Sequence, residues 1–406
     1  MLAVEAARSP ARASGSVALA LAGGGPLGAY YEIGALHALA EAIEGLDFTR
    51  LDTYVGVSSG AVVAASLANG LDTIDLARIF ITTASSEHRI TAATLFTPAI
   101  DDYARQLARI PGLLADRVVQ YVRYPFSVGL TEFMLPVSQA LPAGLFDNQA
   151  LERFLREIFS RRGCSNDFRR LKRRLYVVAT NLNTGEGTVF GSAGFRHVPI
   201  SRAVQASTAL PGLYRPVTIG GARYVDGALR RTMHASLALD AGATLVFCLN
   251  PLVAFNASGS RPRGGRVDLA DQGMPTVLSQ TFRALIQSRM QVGMADYPAR
   301  YPAADILLFE PDPGDVHMFV TNVFGYSDRR QLTEHAYQKT RADLRRAAPR
   351  LRTVLARHGL KLRLDVLRDR RRSLIAELKE QTRASRRVSA DLDRTLERLQ
   401  ALVAPH

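Results

Sequence analysis

The chain has 406 residues, enough to bury a sizeable core and to build two or three domains. Hydrophobic residues make up 47% and charged residues 22%, an ordinary balance for a soluble globular protein, and no apolar run reaches the ~18 residues needed to cross a bilayer. Lys and Arg outnumber Asp and Glu by 51 to 37, a formal net charge of +14, so the surface attracts polyanions such as anionic lipid headgroups. No zinc-finger spacing, RNA-binding aromatic motif or basic zipper accompanies that charge, and specific nucleic-acid binding is not expected. Cys164 and Cys248 lie far apart and suggest no disulfide framework, which points to a reducing, cytoplasmic setting.

In chain order, residues 1–16 read as a disordered leader of Ala, Arg, Ser and Gly. Val17–Leu21 predicts a short buried strand, and Ala29–Ile43 carries helical spacing through Ile33, Leu36, Leu39 and Ile43. Thr53–Val57 is a second strand, followed by a helix of small residues over Gly60–Leu71. Residues 74–145 form an apolar, proline-interrupted helical insert, a candidate lid or core supplement. Leu175–Thr180, Thr188–Phe190 and Leu245–Asn250 predict further strands, and residues 256–265 a flexible loop. Asp305–Phe309 is another strand, Gln331–Leu344 a helix, and residues 346–406 a basic amphipathic helical extension suited to docking, self-association or contact with anionic lipid. Strand–helix alternation over residues 17–242, continued over 243–345, predicts a three-layer α/β/α domain with a largely parallel central sheet.

Two glycine-rich turns carry the chemistry. Gly56-Val57-Ser58-Ser59-Gly60 places a serine between two glycines where a strand turns into a helix, the arrangement that exposes a hydroxyl nucleophile. Ser58 is the candidate, because it alone is flanked symmetrically by Gly56 and Gly60, whereas Ser59 is not. About thirty residues earlier, Gly23-Gly24-Gly25-Pro26-Leu27-Gly28 also joins a strand to a helix. As G-x-G-x-x-G it fits a dinucleotide turn, but the strand that should end in a ribose-binding acid ends in the serine turn instead. The better reading is an oxyanion hole built on the Gly24 and Gly25 N–H groups, between Gly23 and Gly28.

A serine hydroxyl needs a base. Asp226, at the end of the apolar stretch Tyr224-Val225 and followed by Gly227 and Ala228, is presented at a turn and is the candidate; burial would raise its proton affinity into a useful range. His234, His317 and His335 follow it in the order Ser…Asp…His and leave a triad open.

The glycine turn, the G-x-S-x-G pentapeptide and Asp226-Gly227-Ala228, with Ala203-Val204-Gln205-Ala206-Ser207-Thr208-Ala209-Leu210-Pro211-Gly212 ahead of the aspartate strand, resemble the patatin-like phospholipase family over about residues 17–242. The resemblance implies an α/β fold and a Ser58–Asp226 dyad without catalytic histidine. It also implies an oxyanion hole at Gly24 and Gly25, and hydrolysis of fatty-acyl esters of lipids. Where many members carry Arg or Lys before the last glycine of the first motif, this chain has Leu27, a departure that suits neutral acyl esters.

The expected protein is therefore a serine acyl hydrolase acting peripherally at an anionic membrane surface. It needs no metal and no organic cofactor, and self-association through the C-terminal helices is a further expectation. Acyl transfer from the same acyl-enzyme, a catalytically silent lipid-binding scaffold and nucleotide binding are the alternatives.

Overall fold

The computed structural model describes residues 1–7, 15–82, 97–98, 143–230, 233–256, 268–319 and 326–383. The insert over 74–145, the loop at 256–265 and residues 384–406 of the C-terminal extension therefore lie largely outside the described residues.

A nine-stranded sheet organises the chain. Its strands are β1 (Leu2–Glu5), β2 (Ser16–Leu21), β3 (Thr53–Val57), β4 (Arg174–Asn181), β5 (Gly187–Phe190), β6 (Val217–Ile219), β7 (Ala222–Asp226), β8 (Ala243–Leu249) and β9 (Asp305–Phe309). The order across the sheet is β1-β9-β8-β2-β3-β4-β7-β6, with β5 also on β4. The middle, β9-β8-β2-β3-β4, is parallel. The flanking pairs β1–β9, β4–β5, β4–β7 and β7–β6 are antiparallel.

Alternation along the strands sends side chains to two separate cores. Leu19 and Leu21 of β2 join the larger one, with Tyr54, Val177 and Phe247. Ala18 and Ala20 of the same strand face the smaller one, with Val55, Val246, Cys248 and Ile306. Helices α1 (Gly25–Ala42), α2 (Ser59–Ala68), α3 (Thr73–Phe80), α4 (Gln149–Phe159) and α5 (Ile200–Ser207) cover the first face. Helices α6 (Ala235–Asp240) and α7 (Met274–Arg300) cover the second. The architecture is the expected three-layer α/β/α with a largely parallel sheet. Among the described residues, no helix is long and apolar enough to cross a membrane.

Two findings depart from the sequence expectations. The leader is not wholly disordered: Leu2–Glu5 adds an antiparallel strand to β9. An unpaired sheet edge offers a row of donors and acceptors, and the alternating Leu2-Ala3-Val4-Glu5 lays Leu2 and Val4 against the core. Residues 8–14 lie outside the described set. The second departure is α7, which the strand–helix pattern did not announce. Its apolar residues are spread around the helix rather than gathered on one face, and its clearest local sign is Gly273 followed by Pro275 in the first turn.

The C-terminal part docks on the first face. Helix α8 (Tyr326–Arg346) runs against α1, and α9 (Ala348–Arg357) follows it. Leu374 and Leu378 are buried in the main core. The Arg341 guanidinium donates to the carbonyls of Val366 and Asp369, each at 2.6 Å. A buried carboxylate ties this layer to the sheet: Asp305, fully enclosed at the start of β9, receives the Arg357 guanidinium and the His358 imidazole at 2.8 Å each, and the Ala7 N–H at 2.7 Å. Removing one partner of such a set strands the other charges, so Asp305→Ala should cost about 3–5 kcal/mol and lower the melting temperature by several degrees, read by circular dichroism.

Candidate active site

Parallel strands end on the same edge of a sheet, and β2, β3 and β4 all deliver their C-terminal ends to one rim. At that rim β3 runs into α2 through Ser58, which is the N-cap of the helix with φ 53° and ψ −126°. Among the described residues only Ser58 and His234 combine a side chain with positive φ. Such a conformation costs on the order of 1–3 kcal/mol and is held only where its surroundings over-determine it. Packing supplies the constraint. A Cβ on Gly60 would lie 2.4 Å from the Ala22 carbonyl oxygen, and one on Gly56 2.5 Å from the Ala61 Cα, so strand, turn and helix approach too closely for any side chain. Ser59 sits inside the first turn of α2, its hydroxyl buried and without a hydrogen-bond partner.

The first glycine turn arrives from the neighbouring strand. Gly23 lies so close that a Cβ there would stand 2.8 Å from the Ser58 Cβ and 3.4 Å from its Oγ. Gly24 caps α1 and is backed by Pro251; Gly25, at φ 61°, has open space where a side chain would project. Gly28 closes the first turn, its N–H donating to the Gly24 carbonyl at 3.1 Å. The N–H groups at the start of α1 have no carbonyl within their own helix and carry its positive dipole end. They are suited to an oxygen that acquires negative charge.

Asp226 comes to the same place from β7, whose antiparallel pairing sets Asp226 opposite Ala179 of β4. Its carboxylate accepts the Ala228 N–H at 2.8 Å, and the Ser58 hydroxyl lies near enough to act on its proton affinity. Asp226 is 2% exposed and Ser58 7%. Burial pushes the Asp226 carboxyl up to about 6, with the Ser58 hydroxyl and the Ala228 N–H pulling the other way. Burial wins, because water solvates a carboxylate better than two donors do. Gly227 lets the chain turn against the sheet, where a Cβ would meet the Val178 carbonyl oxygen at 2.2 Å.

None of the histidines considered for a triad acts on Asp226. His335 Nε2 meets Asp315 Oδ2 at 2.5 Å and stacks on His317 with 5.3 Å between ring centroids. His234 caps α6 in a left-handed conformation beside Gly187. The groups acting on Asp226 are Ser58 and Ala228.

One residue had no assigned role in the sequence reading. The Ser207 hydroxyl accepts the Ser58 N–H at 2.8 Å and donates to the Val178 carbonyl at 2.6 Å. Two residues on, the Ala209 carbonyl accepts the Asp226 N–H at 2.9 Å, and the Thr180 hydroxyl donates to the Asp226 carbonyl at 3.1 Å. The end of α5 thus grips both members of the pair by their backbones. The stretch Ala203–Gly212 was conspicuous in the sequence as a motif; no local signal told which of its residues faces the serine turn.

Ser207→Ala would leave the Ser58 N–H and the Val178 carbonyl without this partner. It should lower the rate of fluorophosphonate labelling at Ser58 about tenfold and cost about 1–3 kcal/mol of stability, measured by mass spectrometry and thermal melting. Asp226 supplies a second test. Its native proton affinity lies above the unfolded value, so the destabilising charge is absent below pH ~3.8, grows as pH rises to about 6, and is full above it. Asp226→Asn should therefore add on the order of 2–3 kcal/mol of stability at pH 8, read as a higher melting temperature, and leave it nearly unchanged at pH 4.

The family model described as Patatin-like phospholipase matches residues 19–239, more than half of the chain. An uncharacterised protein of Acanthamoeba polyphaga mimivirus is 25% identical over 210 residues, 52% of this chain and 57% of that protein. Among solved structures, VipD from Legionella pneumophila aligns with a TM-score of 0.34 at 20% identity, covering 60% of this chain and 51% of its own. ExoU of the Pseudomonas aeruginosa type III secretion system, in complex with SpcU, aligns at 0.27 and 15% identity, covering 89% and 69%. The chain spans little more than half the length of the mimivirus protein and of VipD. The family model covers both glycine-rich turns and the aspartate within one match, and the chain belongs to the patatin-like phospholipase family.

Proposed function

We propose that the protein is a serine acyl hydrolase of lipid esters, working through Ser58 and Asp226 alone. The observation that carries this reading is a buried carboxylate set near enough to the Ser58 hydroxyl to be influenced by it, at a strained strand-to-helix turn. Family membership supports the lipid-hydrolysing activity.

In the proposed reaction, the Ser58 oxygen attacks the acyl carbonyl carbon while Asp226 takes the hydroxyl proton. A carboxyl at about 6 accepts that proton more readily than an ordinary surface aspartate. The carbonyl oxygen becomes an oxyanion, held by the N–H groups of Gly24 and Gly25, and each well-placed donor of this kind contributes about 3–4 kcal/mol. The C–O bond to the alcohol then breaks, and protonated Asp226 returns its proton to the leaving oxygen. Water attacks the acyl-enzyme with Asp226 again as base, releasing the fatty acid and restoring Ser58. The substrate resides in a membrane or lipid surface, and the enzyme meets it peripherally from the cytoplasm; both cysteines are unpaired, in keeping with a reducing compartment.

A fluorophosphonate probe should label Ser58, mapped by mass spectrometry. Ser58→Ala and Asp226→Asn should each reduce hydrolysis of a p-nitrophenyl acyl ester by at least ~10³-fold while remaining folded. The wild-type rate should fall as pH drops through about 6, because only the ionised carboxylate accepts the proton. His234→Ala, His317→Ala and His335→Ala should each stay active; loss of turnover in one of them would replace the dyad with a triad.

A further inference from the structure

We propose that the outer face of α7 is a docking surface for an anionic lipid bilayer, set beside the dyad. The role rests on the hydrolase reading above, which makes a lipid surface the place where substrate is found.

Helix α7 spans 27 residues, about 40 Å of axis. Its inner side is fixed: Ile286 packs with Val57, Val178 and Ala228, of which Val57 is next to Ser58 in sequence and Ala228 is two residues after Asp226. The Gln280 and Gln287 side chains hydrogen-bond the backbone of Phe255 and Ala254, at 2.7 and 2.8 Å. Its outer side is apolar and bare. Met274, Leu278, Leu285 and Val292, spaced four and seven apart, share one face, with Phe282 on its flank. Their exposures are 73, 48, 57, 67 and 45%. Soluble proteins leave single large apolar side chains in water, but a continuous stripe is the mark of an interaction site.

Charge selects the occupant. Along the helix Arg283 turns inward over the Phe319 ring and Arg300 lies by Asp240, while Arg289 and Asp296 are exposed, and the whole chain carries a formal +14. Arg289, whose guanidinium donates to the Leu229 carbonyl at 3.0 Å, lines with Arg230, Thr180 and Leu229 an open cavity of about 480 Å³. Two guanidiniums at a cavity beside the apolar stripe suit phosphate oxygens at a headgroup layer. A second copy of the chain on the same face would set like charges against each other across a twofold axis. The stripe therefore enters the acyl boundary of a bilayer, the arginines meet the headgroups, and the rim bearing Ser58 is held at the surface.

The chain has no tryptophan, so Phe282→Trp introduces its single indole. With phosphatidylcholine–phosphatidylglycerol vesicles its emission should shift to the blue, less so with phosphatidylcholine alone, and the shift should shrink as salt screens the attraction. Replacing Leu278, Leu285 and Val292 together by serine should lower the vesicle partition coefficient at least ~10-fold, with folding checked by circular dichroism. An unshifted spectrum on the anionic vesicles overturns the proposal, whatever the triple variant does. So does a shift that arises on concentrating lipid-free protein, which would assign the face to a second copy. Fluorophosphonate labelling without vesicles separates the two readings: a labelled Ser58 with a silent indole removes the docking face alone, and a vesicle-bound, unlabelled protein removes the hydrolase alone.

Discussion

The Ser58 backbone occupies a conformation that an isolated chain avoids, and the site is organised around keeping it there. Its N–H is drawn into the Ser207 hydroxyl, which passes the hydrogen bond on to the Val178 carbonyl within the adjacent strand. A sheet edge normally leaves such groups to water, which would let the turn relax. Here a helix end from a distant part of the chain supplies the partner in a buried setting, where an unmade hydrogen bond is expensive. Strain at the nucleophile is thereby offset by contacts made elsewhere in the domain, and the hydroxyl is left pointing out of the turn toward Asp226.

Burial of the aspartate has two consequences of opposite sign. Removing water raises the proton affinity of the carboxylate, which suits it to take a proton from an alcohol, and the same removal makes the ionised native state less stable. The Ala228 N–H moderates the effect, keeping the group from becoming a permanently protonated acid. An aspartate followed by glycine is common in turns. What distinguishes this one is that Gly227 presses against the Val178 carbonyl and carries the carboxylate under the serine turn instead of out to solvent.

The two faces of the sheet have different tasks. On one, α1, α2 and α8 are packed into a single large core, closed by the Asp305 ion network and by the docked C-terminal segment. On the other, the core is smaller and rich in alanine, and α7 lies across it with much of its own apolar surface exposed among the described residues. The rim with the dyad lies where these layers meet.

Short-range sterics are written in local sequence, and that much was legible. The five-residue serine turn, the glycine run after the first strand and the aspartate before a glycine each mark a place where backbone must turn without a Cβ, and alternating strands and helices implied the layered α/β sheet. The structure brings Ser58, Asp226 and Gly23 into contact as those motifs suggested. None of the histidines, which sequence order alone had left open as a third catalytic group, acts on Asp226. Features that depend on a remote partner were not legible: Leu2–Glu5 becomes a strand because β9 offers an edge, Ser207 matters because a helix end reaches the serine turn, and α7 rests on the sheet without a one-sided apolar pattern to announce it. By itself the sequence determined which residues are able to turn, to ionise and to attack. Only the tertiary structure decided which of them meet and which are shielded from water, because burial and hydrogen-bond pairing are properties of what the rest of the chain places around a group.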